Sequence, residues 1–99
     1  MKYLILISNN CTSIKEVVTG LRNNSIEVEI LLLQDGVYLA DKGTPQSKEL
    51  KELGLKVHAL KHHVNERGIA SRLAVEIDLV DYPTVIDLLM EKSDKVISL

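Results

Sequence analysis

Aromatic residues are scarce in this sequence: 3% of 99 positions, all three of them tyrosine, with no tryptophan or phenylalanine. A core without large rings must be packed from leucine, isoleucine and valine, and branched aliphatics suit helices layered on a sheet. Cysteine occurs once, at Cys11, which excludes an internal disulfide and C-x-x-C thiol exchange and fits an intracellular protein. Charge of one sign is lacking too. Twelve basic and 14 acidic residues give a net charge of −2, and the basic ones are scattered. No electrostatic footprint for nucleic acid follows, so no direct binding to it is expected. No apolar run approaches the length of a membrane span. The opening "MKYLILIS" is apolar only over residues 3–7 and is followed by Asn9-Asn10, without the small-residue cleavage site of a signal peptide. Asn10 likewise rules out lipoprotein processing at Cys11. The expected place is the cytoplasm, away from membranes. A glycine-rich phosphate cradle is also missing, which removes support for nucleotide binding.

What is present is an alternation of strand-like and helix-like periods. "KYLILIS" is a continuous apolar run, as in a strand buried on both faces. Ile14, Val17, Val18 and Leu21 then fall on one helical stripe, and Ser13 with Glu16 has capping-box spacing. "VEILLL" predicts the second strand. "TPQSKELKELG" predicts a helix capped by Thr44, with Pro45 in its first turn and Gly54 as its stop. "LKVHAL" predicts a third strand and "HHVNERG" one or two helical turns closed by Gly68. "EIDLV" predicts a fourth strand, "DYPTVIDLLMEK" a helix capped by Asp81, and "KVISL" a short fifth strand. The pattern implies one domain over residues 1–99. Its expected fold is α/β, a three-layer α/β/α sandwich around a mostly parallel, about five-stranded sheet.

In such sheets ligands bind beyond the carboxyl ends of the strands. Those ends here carry Ser8-Asn9-Asn10-Cys11, Gln34-Asp35-Gly36, Lys61-His62-His63 and Asp81-Tyr82. The candidate pocket or interface residues are therefore Gln34, Asp35, Gly36, Tyr38, His62, His63, Asp81 and Tyr82. Cys11 precedes a helix N-terminus, where a thiol is helped to ionise and a persulfide could be carried; the plainer reading is a small loop residue. His58 is expected inside the third strand, with His62 and His63 past its end. No metal-ligand spacing accompanies them, and the plainer reading is solvated histidines. A Cys11–His62–Asp35 constellation is conceivable across the strand ends. Asp35 is expected either to bond backbone N–H groups of a tight turn or to touch a ligand, and Gly36 to adopt a conformation closed to other residues. Tyr38 and Tyr82 suit a protein interface or partial burial.

The stretch "LLLQDGVYLA" resembles the strand-and-turn signature of the DsrH/TusB family, small cytoplasmic subunits of sulfur-relay complexes. The likeness continues through "KVHALKHHVNERGI", with its Arg67-Gly68 ending, and resumes in "IDLVDYPTVIDLLMEKSDKVISL". The resemblance covers most of the chain from Ile30 onward. It implies a DsrE/F/H-like fold and assembly with paralogous DsrE/DsrF-like (TusD/TusC-like) subunits in a hetero-oligomer, or a homo-oligomer where paralogues are absent. Such a complex passes persulfide sulfur toward 2-thiouridine at the tRNA wobble position or serves sulfur oxidation. No cofactor is implied. Sister subunits carry their cysteine around the end of the third strand, where this chain has Leu60-Lys61-His62-His63. Some family members carry one in the first helix, around Gly20 here. Cys11 matches neither place, and the family's usual terminal tryptophan is Leu99.

Three functions follow as expectations. The first is an accessory, non-catalytic relay subunit. The second is a stand-alone persulfide carrier using Cys11. The third is a homo-oligomeric binding module without sulfur chemistry.

Overall fold

Five parallel strands make one sheet: β1 (Lys2–Ile7), β2 (Glu27–Leu32), β3 (Lys56–Leu60), β4 (Ile77–Val80) and β5 (Lys95–Ser98), in the order β4-β3-β2-β1-β5. The structure, a computed structural model, describes residues 1–9, 15–73 and 77–99, the side chain of Gln46 excepted. Cys11, the expected helix start at Ser13 and Glu76 of the expected fourth strand lie outside the described residues. Each strand pair is parallel, so the sheet is wholly parallel where the sequence promised mostly so.

The helices are α1 (Lys15–Asn23), α2 (Pro45–Leu53), α3 (Lys61–Glu66) and α4 (Tyr82–Met90). Parallel crossovers are right-handed, so the direction of each step across the sheet decides which face its helix covers. Strands β1 to β4 step one way and put α1, α2 and α3 on one face. There Val18, Leu50 and Val64 join Ile5, Ile7, Ile30, Leu32, Val57 and Ala59 in the larger core. The last crossover returns to the far side of β1, so α4 lies on the opposite face. There Val85 and Leu88 pack on Leu4, Leu31, Leu60 and Val80. The three-layer sandwich is thus lopsided, three helices against one. Full burial of a Leu, Ile or Val side chain stabilises by roughly 1.5–3 kcal/mol, and the alternation along β1 and β2 supplies both cores.

The expected helix ends hold. Thr44 Oγ1 accepts from the Ser47 N–H at 3.3 Å, and Gly54 ends α2 in the left-handed region at φ 64°. Asp81 accepts from the Thr84 N–H at 3.0 Å and from its hydroxyl at 2.7 Å.

The "QDG" segment corrects the sequence reading, because it is no tight turn. It opens a 3-10 helix, Gln34–Ala40, whose Val37, Leu39 and Ala40 are buried. The residue in the left-handed region is Gln34, at φ 50°, while the glycines there are Gly54 and Gly68. Gly36 is glycine for another reason: a Cβ would fall 2.0 Å from the carbonyl oxygen of Ile7. The helix passes directly over the end of β1, where the Leu33 N–H also donates to that oxygen at 2.9 Å.

Candidate functional site

The winding reverses between neighbouring strands β3 and β4, since α3 leaves β3 toward one face and α4 leaves β4 toward the other. A crevice opens outside the carboxyl ends of such a pair, the usual place for a ligand in an open parallel sheet. The residues placed there are the first turns of α3 and α4, with the 3-10 helix beside them. His62 and His63 lie on α3, the short helix that "HHVNERG" predicted, and their rings stand 6.0 Å apart. The Tyr82 ring stands 6.1 Å from His62 and 6.4 Å from His63, edge-on to the latter.

His63 is fixed by two neighbours. The Gln34 N–H donates to its Nδ1 at 2.8 Å, and the left-handed backbone of Gln34 aims that donor. A neutral His63 that accepts at Nδ1 carries its proton on Nε2. Burial lowers its pKa from the ordinary 6.5, and the charges of Arg67 and His62 add to this, against a raising contribution from Glu66. Arg67 closes α3. Its Nε donates to Asp35 Oδ1 at 3.0 Å, and its guanidinium reaches the His63 carbonyl at 3.5 Å. Asp35 therefore holds an arginine, which is neither the backbone bond within its own turn nor the ligand contact that were the two expectations. His62 Nε2 pairs with Glu66 Oε1 one turn on, at 2.6 Å.

Of the sequence-derived candidates, Gln34, Asp35, His62, His63 and Tyr82 gather in this crevice. Gly36 is buried beneath, where it lets the 3-10 helix approach β1. Tyr38 is half-buried and packs against the larger core, so it serves packing. Asp81 is the cap of α4, and the Thr84 hydroxyl and N–H hold its carboxyl below the usual range. His62 pairs with Glu66 and Asp35 with Arg67, so those two do not meet as a triad, and Cys11 is outside the described residues. Among the described residues no group of three His, Cys, Asp or Glu is placed to hold a metal ion.

Sequence reasoning passed over Arg67 as a site residue, and it missed a second polar assembly. On the α4 face, Lys2, Glu29, His58 and Asp78 form a row across β1, β2, β3 and β4. Lys2 pairs with Glu29, His58 Nε2 faces Glu29 Oε1 at 2.7 Å, and His58 Nδ1 faces Asp78 Oδ2 at 2.7 Å. His58 and Glu29 are 3% and 5% exposed, so His58 is a buried linker between carboxylates where a solvated residue was expected. Burial raises the Glu29 carboxyl, but hydrogen bonds from His58 and Lys2 outweigh it and the net pKa is lowered. The polar alternation "EVE" at the start of β2 was the signal available. A cleft of about 300 Å³ lined by Arg22, Glu27, Glu29 and Lys56 lies at the amino ends of β2 and β3, the edge opposite the crevice.

No helix among the described residues is long and apolar enough to cross a membrane. Residues 9–95 match the family described as "DsrH like protein". Protein TusB of Enterobacter sp. (strain 638) is 38% identical over 60 residues, 61% of this chain and 63% of that relative, so the match spans somewhat under two thirds of the relative's length. Protein TusB of Escherichia coli O81 (strain ED1a) is 34% identical over 67 residues, 68% of this chain and 70% of the relative. Among solved structures, the ychN protein from E. coli covers 100% of both chains at a TM-score of 0.76 and 15% identity. A protein of unknown function from Methanobacterium thermoautotrophicum covers 99% of this chain and 98% of its own at 0.75 and 15%. At that identity these two structures establish the fold alone.

Proposed function

The chain belongs to the DsrH family, and on that footing we propose that it is a non-catalytic subunit of a cytoplasmic sulfur-relay complex. In this reading it completes the pocket around a partner's persulfide and carries no sulfur itself. The observation that carries the reading is the side-chain set at the β3–β4 crevice. Two imidazoles and a phenol meet there, the Arg67 guanidinium pairs with Asp35 one turn further along α3, and no sulfur nucleophile stands among the described residues of the crevice. The family resemblance puts the sulfur-bearing cysteine of sister subunits near the end of the third strand, the place His62 and His63 follow here. A persulfide anion is stabilised by positive charge and by hydrogen-bond donors. Arg67 supplies the charge, and His63 Nε2–H and the Tyr82 hydroxyl are donors. Burial and Arg67 disfavour a charged His63, so it offers a donor without taking a proton from its neighbours. The partners in this reading are DsrE- and DsrF-like paralogues, and the relay delivers sulfur toward tRNA wobble 2-thiouridine or sulfur oxidation.

The test is reconstitution with the two paralogues, a cysteine desulfurase and cysteine, followed by intact mass and sulfur transfer. This chain and its Cys11→Ser variant should both stay at their unmodified mass while a paralogue gains sulfur. Arg67→Ala and His63→Ala should slow transfer without loss of fold. A sulfur mass on this chain that disappears in Cys11→Ser would make Cys11 the carrier and overturn the reading.

A further inference from the structure

Helix α4 is apolar on two sides. Val85 and Leu88 face the sheet. Yet Tyr82, Ile86 and Met90, which are 53%, 57% and 77% exposed, recur at four-residue spacing on the outside. At 3.6 residues per turn, Ile86 and Met90 lie about 100–160° around the axis from Val85 and Leu88, where a helix resting on a sheet normally carries polar residues. A helix apolar on both sides is one covered on both sides. The stripe is about 12 Å long, and Tyr82 at its amino end joins it to the His62–His63 crevice.

Charge decides what covers it. Asp87 and Glu91 are exposed along one flank of the stripe, Asp81 stands at its amino end, and no basic residue occurs within the helix. A second copy docked antiparallel about a two-fold axis would set the acidic flank of Asp87 and Glu91 against its own copy, so that arrangement gathers like charges. The same carboxylates repel an anionic lipid surface. We propose that the outer stripe of α4 is the docking surface for a partner protein that offers an apolar groove edged with Lys or Arg. Docked there, the partner borders the crevice and can bring its own reactive group to His63 and Arg67. The inference rests on the relay reading for the identity of the partner, the DsrE- and DsrF-like paralogues, and adds the face they occupy.

The experiment is co-expression with those paralogues from the same genome, using wild type, Ile86→Asp/Met90→Asp and Asp87→Lys/Glu91→Lys. Both pairs of positions are exposed, so thermal melts of the isolated variants should stay close to wild type. The double aspartate should weaken the complex by about 100-fold and the charge reversal by about 10-fold. The wild-type complex should also weaken as salt rises. A double-aspartate variant that assembles like wild type would overturn the docking surface and leave the relay reading standing. If wild type forms no complex with the paralogues, the relay reading fails and the docking assignment fails with it. A wild-type chain that dimerises alone and is made monomeric by the double aspartate would make the occupant a second copy.

Discussion

Replacing His58 with leucine isolates what the buried charge row is worth. The ring is 3% exposed and bridges Glu29 and Asp78 at 2.7 Å on each side. Both ring nitrogens face carboxylate oxygens, and a ring N–H donated to a carboxylate is a charge-assisted hydrogen bond of about 1.5–3 kcal/mol. The Asp78 contact counts for little, because that side chain is 52% exposed and water replaces the lost partner. Glu29 is different: its side chain is 7% exposed and would keep only Lys2. Leucine burial returns about 1 kcal/mol, so His58→Leu should cost about 2 kcal/mol and lower Tm by about 10 °C for a domain of this size. Adding Glu29→Leu removes the stranded carboxylate, and the double variant should recover to within about 1 kcal/mol of wild type. Urea unfolding at pH 7 of wild type, both single variants and the double variant gives the coupling energy, expected at about 1.5–2 kcal/mol. Purely additive costs, or a His58→Leu cost below about 0.5 kcal/mol, would refute the claim that the row acts as a unit. The sign with pH is also set. Glu29 titrates below its ordinary 4.5 in the folded state, so its stabilisation is complete above 4.5 and is lost as pH falls through the folded value.

The crevice and its supports give further expectations. Gly36→Ala should destabilise by about 3 kcal/mol or more, because the Ile7 carbonyl leaves no room for a methyl; denaturant midpoints check this. His63 should titrate below 6.5 when followed by NMR, and Arg67→Gln should move it upward. Since its folded pKa is the lower one, His63 contributes stability that is complete above 6.5 and falls away as the solution is acidified. Arg67→Ala should cost less than about 1 kcal/mol, because its pair with Asp35 is solvent-screened, so any loss of relay activity would reflect the site and not the fold.

The sheet and its helices were legible because two periods alternate along the chain and because Thr44, Gly54 and Asp81 punctuate it with local chemistry. Such signals depend on a few neighbouring residues and survive folding. The 3-10 helix at Gln34 was not legible, because its cause is non-local: Ile7 stands under Gly36, and no feature near "QDG" announces that approach. His58 was placed in the right strand but with the wrong surroundings. Its partners Glu29 and Asp78 come from two other strands, and only the register of β2, β3 and β4 aligns them. The gathering at the crevice was foreseen as a set of strand ends. That His62, His63 and Tyr82 cluster follows from α3 and α4 leaving toward opposite faces, a consequence of the return crossover to β5.

That return crossover also bears on when the protein can become folded during its synthesis. β5 lies beside β1, pairing Tyr3 with Lys95 and Leu6 with Ser98. The backbone N–H of Lys2 donates to the Asp94 carboxylate, 92 residues away in sequence. Until residues 95–98 have cleared the ribosome, β1 is an unpaired edge of apolar backbone, and α4 has no second anchor to hold it over its face of the sheet. Contacts of such separation form slowly, and open strand edges invite aggregation while they wait. β5, made after the other four strands, therefore takes the edge that β1 would otherwise leave open.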